Sequence, residues 1–304
     1  MSMTEKLHLR ESWRMPPAVA LALFFLACLQ PATASEEETG MLWRVSGHSN
    51  SVYLLGSVHM LRESDFPLPG DIESAYTDAE ALVMELDMDD LNPLAVQTLF
   101  FTRGTLPDDT TLAEVMGETR WREASAAASA LGIDLSMLKR VKPWWAAITV
   151  VQLQLGKIGF NPELGLEGYF TQRAGADGKP IEGLETAAFQ IGLFDSMDEE
   201  RQVEMLMKAL DDAQALEQEM DKLLRAWRSG DTNTLATIQS ESFADFPALY
   251  DALIHRRNRD WITALSRLLD DERDYLVVVG ALHLVGKDGV PAGLADMGYK
   301  VVRE

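Results

Sequence analysis

Strand-like patterns of apolar residues stand at both ends of this chain. Two runs, residues 41–45 and 51–55, flank a short segment containing Gly and Asn, which predicts a β-hairpin. A helix over residues 71–78 and a third apolar run over residues 81–85 follow. Because two strands joined through a helix usually run parallel, this unit favours a partly parallel sheet.

The carboxyl-terminal end shows a similar pattern. Residues 275–279 form a continuous apolar run, typical of a strand covered on both faces. A short helix over residues 290–297 and a last strand over residues 299–302 follow.

The middle of the chain shows mostly helical spacing. An apolar segment at residues 144–155 predicts a buried helix, residues 198–227 predict one long helix or two, and residues 179–184 predict a short strand. We therefore predict an α/β (α+β) fold, in which the terminal segments form a central mixed β-sheet and a helical region is inserted at about residues 90–265. No repeat or linker interrupts residues 35–304, which favours a single domain.

The amino terminus is typical of a secretory signal. Two arginines precede an apolar run at residues 18–29, and an A-x-A motif predicts cleavage after Ala34, so that residues 1–34 are a signal peptide. We expect an exported protein, periplasmic or secreted, without stable membrane insertion after cleavage. Lipid anchoring through Cys28 is the alternative, and it is disfavoured by Phe25, where lipoprotein signals usually have Leu.

Composition excludes several functions. The chain has 48 acidic and 27 basic residues, a net charge of −21, and no basic block that could neutralise phosphates, which argues against nucleic acid as a partner. A solvated acidic surface accounts for this charge without any ligand. Because Cys28 is the only cysteine, the mature chain has no disulfide, thiol nucleophile or cysteine metal ligand.

Two of the five histidines occupy equivalent positions in the pattern. His59 and His283 each end a G-x-x-H motif that follows a strand-like run. If the two strands are neighbours, the imidazoles meet at one edge of the sheet, where they could bind a divalent metal or serve in acid–base catalysis. The alternative is that each is an ordinary hydrogen-bonded histidine.

Acidic residues recur where the predicted strands end. Glu85 ends the third apolar run, Asp87 lies two residues further on the same face, and Glu185 follows the strand predicted in the middle region. Glu167 lies between two glycines at a predicted helix start, where it is a candidate site acid or an acid stabilised by the helix dipole. Each of these acids could instead be a solvated polar residue.

A basic island surrounds Arg257 in this acidic chain. Its guanidinium could bind a substrate carboxylate or a developing oxyanion, although a solvated helix face is the alternative. Nucleophile-elbow, zincin-helix, Walker and dinucleotide-binding motifs are absent from the sequence.

Six motifs in order resemble the TraB/GumN family, which includes the Tiki metalloproteases, over residues 41–303. They are YLLGSVH at residues 53–59, ELD at 85–87, GLEGYF at 165–170, GLET at 183–186, RN at 257–258 and VGALHLVG at 279–286. The resemblance implies an α/β core with a helical insertion, similar to the erythromycin-esterase and ChaN-like proteins.

The same resemblance implies a site. Tiki proteases are metal-dependent peptidases that use manganese or cobalt, and their two G-x-x-H histidines and glutamate correspond to His59, His283 and Glu85. Arg257 and Asn258 match a family signature and are expected near the site. Glu167 stands where relatives usually have Asp, but the longer side chain could still reach the site.

Two functional hypotheses follow. The first is an exported metal-dependent hydrolase, a peptidase of the Tiki type that acts on a peptide or protein substrate and binds manganese, cobalt or, as an alternative, zinc. The second is a non-catalytic envelope protein that binds haem, a metal or a peptide. The sequence leaves the oligomeric state open.

Overall fold

The computed structural model describes residues 40–88 and 90–304. The predicted signal peptide, its cleavage site and Cys28 lie outside the described residues. A six-stranded sheet has the order β4-β3-β5-β2-β1-β6. The strands are β1 (Leu42–Ser46), β2 (Ser51–Ser57), β3 (Ala81–Leu86), β4 (Ile181–Glu185), β5 (Tyr275–Gly280) and β6 (Lys300–Arg303).

The sheet is mixed, as predicted. Strands β4, β3, β5 and β2 are parallel, whereas β1 is antiparallel to both of its neighbours, β2 and β6. The two ends of the chain supply five strands, and the middle region supplies β4 at one edge. The predicted α/β class is therefore confirmed.

Helices occupy most of the remaining chain. They are α1 (Gly70–Asp78), α2 (Pro93–Gly104), α3 (Leu112–Ala130), α4 (Pro143–Lys157), α5 (Leu166–Asp177), α6 (Ala187–Asp195), α7 (Glu199–Asp212), α8 (Leu216–Arg228), α9 (Thr232–Ser242), α10 (Pro247–Tyr250), α11 (Arg256–Leu268) and α12 (Val290–Asp296). Local signals fix many helix starts: the side chains of Asn92, Thr111, Asp198 and Asp231 accept hydrogen bonds from the first free N–H groups of α2, α3, α7 and α9. The segment at residues 198–227 is two helices, α7 and α8.

Strand β5 is the centre of the core. All of its residues are buried, because β2 and β3 flank it and helices cover it. Its register pairs Ser57 with Gly280, and β3 pairs Leu86 with Glu185. The four parallel strands therefore end at the same edge of the sheet, the edge where α/β proteins usually bind ligands.

A second apolar cluster lies within the helical middle region. It includes buried residues of α3, α4 and α7, among them Met116, Val150 and Leu206. None of the helices in residues 40–88 and 90–304 is long and apolar enough to cross a membrane.

Candidate functional site

Polar side chains meet where the parallel strands end. His59 follows β2, Glu85 is the penultimate residue of β3, and Glu185 ends β4. His283 lies in the 3₁₀ turn Ala281–Leu284, which directly follows β5. Helix α11 brings Arg257 to the same place from the far end of the middle region.

Arg257 connects three of these groups. Its Nη2 donates to Oε2 of Glu85 at 2.6 Å and to Oε2 of Glu185 at 2.8 Å, and its Nε donates to Oε1 of Glu185 at 2.8 Å. Its Nη1 donates to Nε2 of His283 at 3.1 Å. The side chains of Arg257 and Glu185 are only 8% and 7% exposed, so this is a buried ion pair with strong, charge-assisted hydrogen bonds.

Asn258 fixes the proton on His283. Its Nδ2 donates to the carbonyls of His283 and Asp288 at 3.1 and 2.7 Å, which orients the amide and leaves Oδ1 as an acceptor 2.5 Å from Nδ1 of His283. Because Arg257 can only donate, Nε2 of His283 is an acceptor and Nδ1 carries the proton. Burial lowers the pKa of His283 to about 3, so the imidazole is neutral.

Glu167 holds the other histidine. Its Oε1 accepts from Nδ1 of His59 at 2.9 Å and from the hydroxyl of Ser57 at 2.5 Å, so the glutamate side chain does reach the site. The negative charge of Glu167 is the largest influence on His59 and raises its pKa to about 9 against the effect of burial. The His59 side chain is 63% exposed because it faces the cavity described below, and its Nε2 points away from Glu167.

Glu85 is held as a carboxylate. Burial favours its neutral form, but the nearby charges of His59 and Arg257, with the backbone N–H of Gly280, lower its pKa to about 2. That N–H donates to Oε1 at 2.9 Å, and Nε2 of Gln190 donates to Oε2 at 3.0 Å.

Gly280 leaves a space that these groups surround. A Cβ atom on this residue would lie 3.3 Å from Oε1 of Glu85, 3.4 Å from Nε2 of His59 and 3.5 Å from Cδ2 of His283. The site has three carboxylates, those of Glu85, Glu167 and Glu185, and two cationic partners, the Arg257 guanidinium and the His59 imidazolium. The local charge therefore favours an added cation.

The donor chemistry fits a divalent transition metal. The two imidazoles are each anchored through Nδ1, so Nε2 is the ligand atom on both, on His283 as it stands and on His59 after loss of its Nε2 proton, and a carboxylate completes the set. As the side chains stand, the described residues contain no group of three or more His, Cys, Asp or Glu arranged to hold a metal ion. The hydrogen bond from Arg257 to Nε2 of His283 also uses the lone pair that a metal would need.

The structure brings most of the predicted site residues together. His59, His283, Glu85 and Arg257 border the cavity, and Asn258 supports His283 from behind. Glu167 and Glu185 hold His59 and Arg257 in turn. Asp87 does not line the cavity: it lies beyond the end of β3, and its Oδ1 accepts from the backbone N–H of Asp90 at 3.3 Å.

Three further residues complete the site. Ser57 is part of the G-S-V-H motif and bonds Glu167, and Gln190 bridges Glu85 and Glu185. Trp261 lies one helical turn after Arg257; its Nε1 donates to Oε1 of Glu185 at 2.9 Å, and its ring lies 4.4 Å from that of His283. The only available signal for Trp261 was the i, i+4 spacing from Arg257, which places both side chains on one helix face.

A cavity of about 610 Å³ opens above this edge of the sheet. His59, Glu85, Arg257 and His283 form one end of its lining. Most of the rest is formed by side chains from the middle region, including Val151 and Leu155 of the apolar helix α4, and residues next to the two G-x-x-H histidines, such as Met60 and Leu282, add to it.

The model of the TraB/PrgY/gumN family matches residues 41–303 of the chain. The Uncharacterized protein YbaP of Escherichia coli (strain K12) is 30% identical over 247 residues, which cover 79% of this chain and 86% of that protein. An uncharacterized protein of Treponema pallidum is 26% identical over 294 residues, 90% of this chain and 87% of that protein.

A more distant relative has a named activity. The Metalloprotease TIKI homolog of Amphimedon queenslandica is 23% identical over 318 residues, 88% of this chain and 62% of that protein. No solved structure matches the chain.

Proposed function

The chain belongs to the TraB/PrgY/gumN family, as its six motifs predicted, and we propose that it is an exported, divalent-metal-dependent hydrolase that cleaves peptide bonds. The observation that carries the proposal is the convergence of Glu85, His59 and His283 on the space beside Gly280, at one end of a large cavity. The peptide substrate is suggested by the relative named as a metalloprotease.

Under this proposal, Nε2 of His59, Oε1 of Glu85 and Nε2 of His283 hold the ion. The family resemblance favours manganese or cobalt, and imidazole ligands would also suit zinc. When bound, the ion would lower the pKa of a coordinated water and polarise the scissile carbonyl.

The surrounding residues position these groups. Asn258 keeps the proton of His283 on Nδ1, and Glu167 orients His59 so that Nε2 faces the cavity. Glu185 and Trp261 fix the guanidinium of Arg257. One N–H of its Nη1 donates to the carbonyl of Leu253, and the other becomes available for a substrate oxygen once His283 has another partner. A fixed cation in a largely buried site stabilises an oxyanion better than a mobile one in water.

The test compares metal content and peptide cleavage in three proteins. Wild type should bind one divalent ion and cleave, and the double variant His59→Ala, His283→Ala should do neither. The control is His48→Ala, because the His48 side chain is 85% exposed and lies outside the cavity. Unchanged metal content and cleavage in the double variant would refute the proposal.

Thermal unfolding of the same three proteins with added ligands addresses the second hypothesis. If haem, a metal or a peptide stabilises the protein against heat and no substrate is cleaved, the site is a binding site. Stabilisation should then follow ligand concentration, reaching about 2.7 kcal/mol at one hundred times the dissociation constant.

Export is the remaining part of the proposal. The evidence is the basic, apolar and A-x-A pattern of residues 1–34. Sequencing the amino terminus of the protein recovered from the periplasm or medium should give Ser35. An intact Met1 in a cytoplasmic fraction would refute export, and a lipid on Cys28 would favour anchoring instead.

A further inference from the structure

The cavity above the sheet edge has two chemically different ends. The ionisable residues of its lining are His59, Glu85, Arg257 and His283, all at the sheet edge. The uncharged part of the lining that comes from helices of the middle region is called the apolar chamber below. It is formed chiefly by Val151, Met205, Ala209, Met220 and Leu223.

The apolar chamber lacks charged side chains although the helices around it carry many. One quarter of the residues in the chain are charged, and the helices α7 and α8 that build the chamber are rich in charged residues of both signs. Helices α7 and α8 nevertheless point Met205, Ala209, Met220 and Leu223 at the cavity. A charged ligand group placed there would lose its hydration without gaining a partner.

The chamber is also large and adaptable. A volume of about 610 Å³ for the whole cavity is within the range of small-molecule sites, and protein interiors otherwise leave few voids larger than a water molecule. Met205 and Met220 line it with unbranched, polarisable side chains that adjust to differently shaped apolar groups.

We infer that the ligand of this site carries a large apolar group next to the bond to be broken, and that this group lies in the apolar chamber. The inference rests on the proposed hydrolytic function for the position of the bond. The apolar group is either a set of apolar side chains in a peptide or an acyl chain, because both present the same surface to the chamber.

The experiment measures binding without turnover, by fluorescence anisotropy of labelled hexapeptides in the presence of EDTA. One peptide has a central Leu-Phe-Leu, the second has Ser-Asn-Ser, and the third has Ser-Asn-Ser with a decanoyl group on its amino terminus. At least one of the two apolar probes should bind ten or more times tighter than the plain Ser-Asn-Ser peptide. Tight binding of the Leu-Phe-Leu peptide indicates a pocket for apolar side chains, and tight binding of the decanoyl peptide indicates a pocket for an acyl chain. Equal binding of all three peptides would overturn the inference.

Variants locate the binding. Met220→Gln keeps the length of the side chain and adds polar atoms to the chamber wall, so it should weaken binding of the apolar probe about tenfold and leave the Ser-Asn-Ser peptide unaffected. Met137→Gln is the matched control, because Met137 is 84% exposed and outside the cavity. Ala209→Trp, which fills the chamber, should have the same effect as Met220→Gln, with Ala126→Trp on an exposed helix face as its control.

The outcomes separate this inference from the proposed function. Tight binding of an apolar probe that both chamber variants weaken, without cleavage of any probe after metal is added, would refute hydrolysis alone. If the protein binds and cleaves the apolar probes and the plain Ser-Asn-Ser peptide equally well, the inference is refuted and the proposed function stands. Tight binding that neither chamber variant changes would place the apolar group elsewhere and also overturn it.

Discussion

Oδ1 of Asn258 lies 2.5 Å from Nδ1 of His283. This single contact decides which ring nitrogen of His283 faces the cavity, because the Asn258 amide is fixed by two backbone carbonyls. The imidazole is thus neutral and oriented before any ligand arrives, as a metal ligand or a hydrogen-bond acceptor must be.

Asn258→Ala should therefore affect both stability and ligand binding. The substitution leaves a buried N–H and two buried carbonyls without this partner, so the free energy of unfolding should fall by about 1–3 kcal/mol. Metal affinity should fall by about 10–100-fold, because His283 loses its orientation. Urea unfolding and metal titration measure the two effects, and Asn233→Ala, on an exposed position of α9, should change neither. Wild-type affinity in Asn258→Ala would contradict this role.

Arg257→Met should destabilise the protein strongly. The substitution keeps most of the apolar stem but leaves Glu85 and Glu185 buried without their cation, which should cost about 3–5 kcal/mol in urea unfolding. Arg256→Met is the control, because that guanidinium is 57% exposed and its solvent-exposed ion pair with Asp251 contributes little to stability.

A second variant tests the cause of this loss. Adding Glu185→Gln to Arg257→Met removes one of the stranded carboxylates, so the double variant should recover part of the lost stability. If the double variant is less stable than Arg257→Met, the loss comes from packing around the arginine stem and not from unpaired charge.

The fold was largely predictable because its terminal segments carry strong local signals. The apolar run that became β5 is buried throughout, and the hairpin of β1 and β2 has a short Gly-containing connection. The order of strands was not predictable in the same way. Residues 275–279 insert between β2 and β3 through contacts across nearly two hundred residues, and no local pattern encodes that choice.

The site was predictable where residues follow strands. His59, Glu85 and His283 all stand at strand ends, so parallel pairing alone brings them to one edge. Arg257 and Trp261 lie on a helix, and only the tertiary packing of α11 brings them to Glu185. Asp87 lies outside the cavity lining although it follows Glu85 by two residues. Strand β3 ends at Leu86, and the alternation of side chains between the two faces of the sheet stops there.

Glu167→Gln tests the influence of one charge on His59. Gln can still accept the Nδ1 hydrogen bond, but the charge that raises the pKa of His59 is lost. In protein treated with a chelator, the pKa of His59 should fall from about 9 towards its ordinary value of 6.5. Measured above pH ~9, where the ring is deprotonated in both proteins, metal affinity should fall by about 10–100-fold, because the glutamate also increases the basicity of the ring.

NMR titration of the His59 ring protons measures this pKa. Glu163→Gln is the matched control, since Glu163 is exposed and lies four residues before Glu167. If the pKa of His59 is the same in Glu167→Gln and wild type, a group other than Glu167 raises it.

Gly280→Ala tests the space at the centre of the site. The backbone of Gly280 has φ −49° and ψ 132°, which alanine adopts without strain, so the free energy of unfolding should change by no more than about 1 kcal/mol. The new methyl group would nevertheless lie within 3.3–3.5 Å of Glu85, His59 and His283 and fill the space they surround. Metal affinity and turnover should then fall on the order of a hundredfold, because groups that act together tolerate little displacement. Gly175→Ala in α5, where a methyl group meets nothing within 4 Å, should stabilise the protein by about 0.5–1 kcal/mol and leave turnover unchanged. If Gly280→Ala folds normally and keeps wild-type metal affinity and turnover, the space beside Gly280 is not where the reaction occurs.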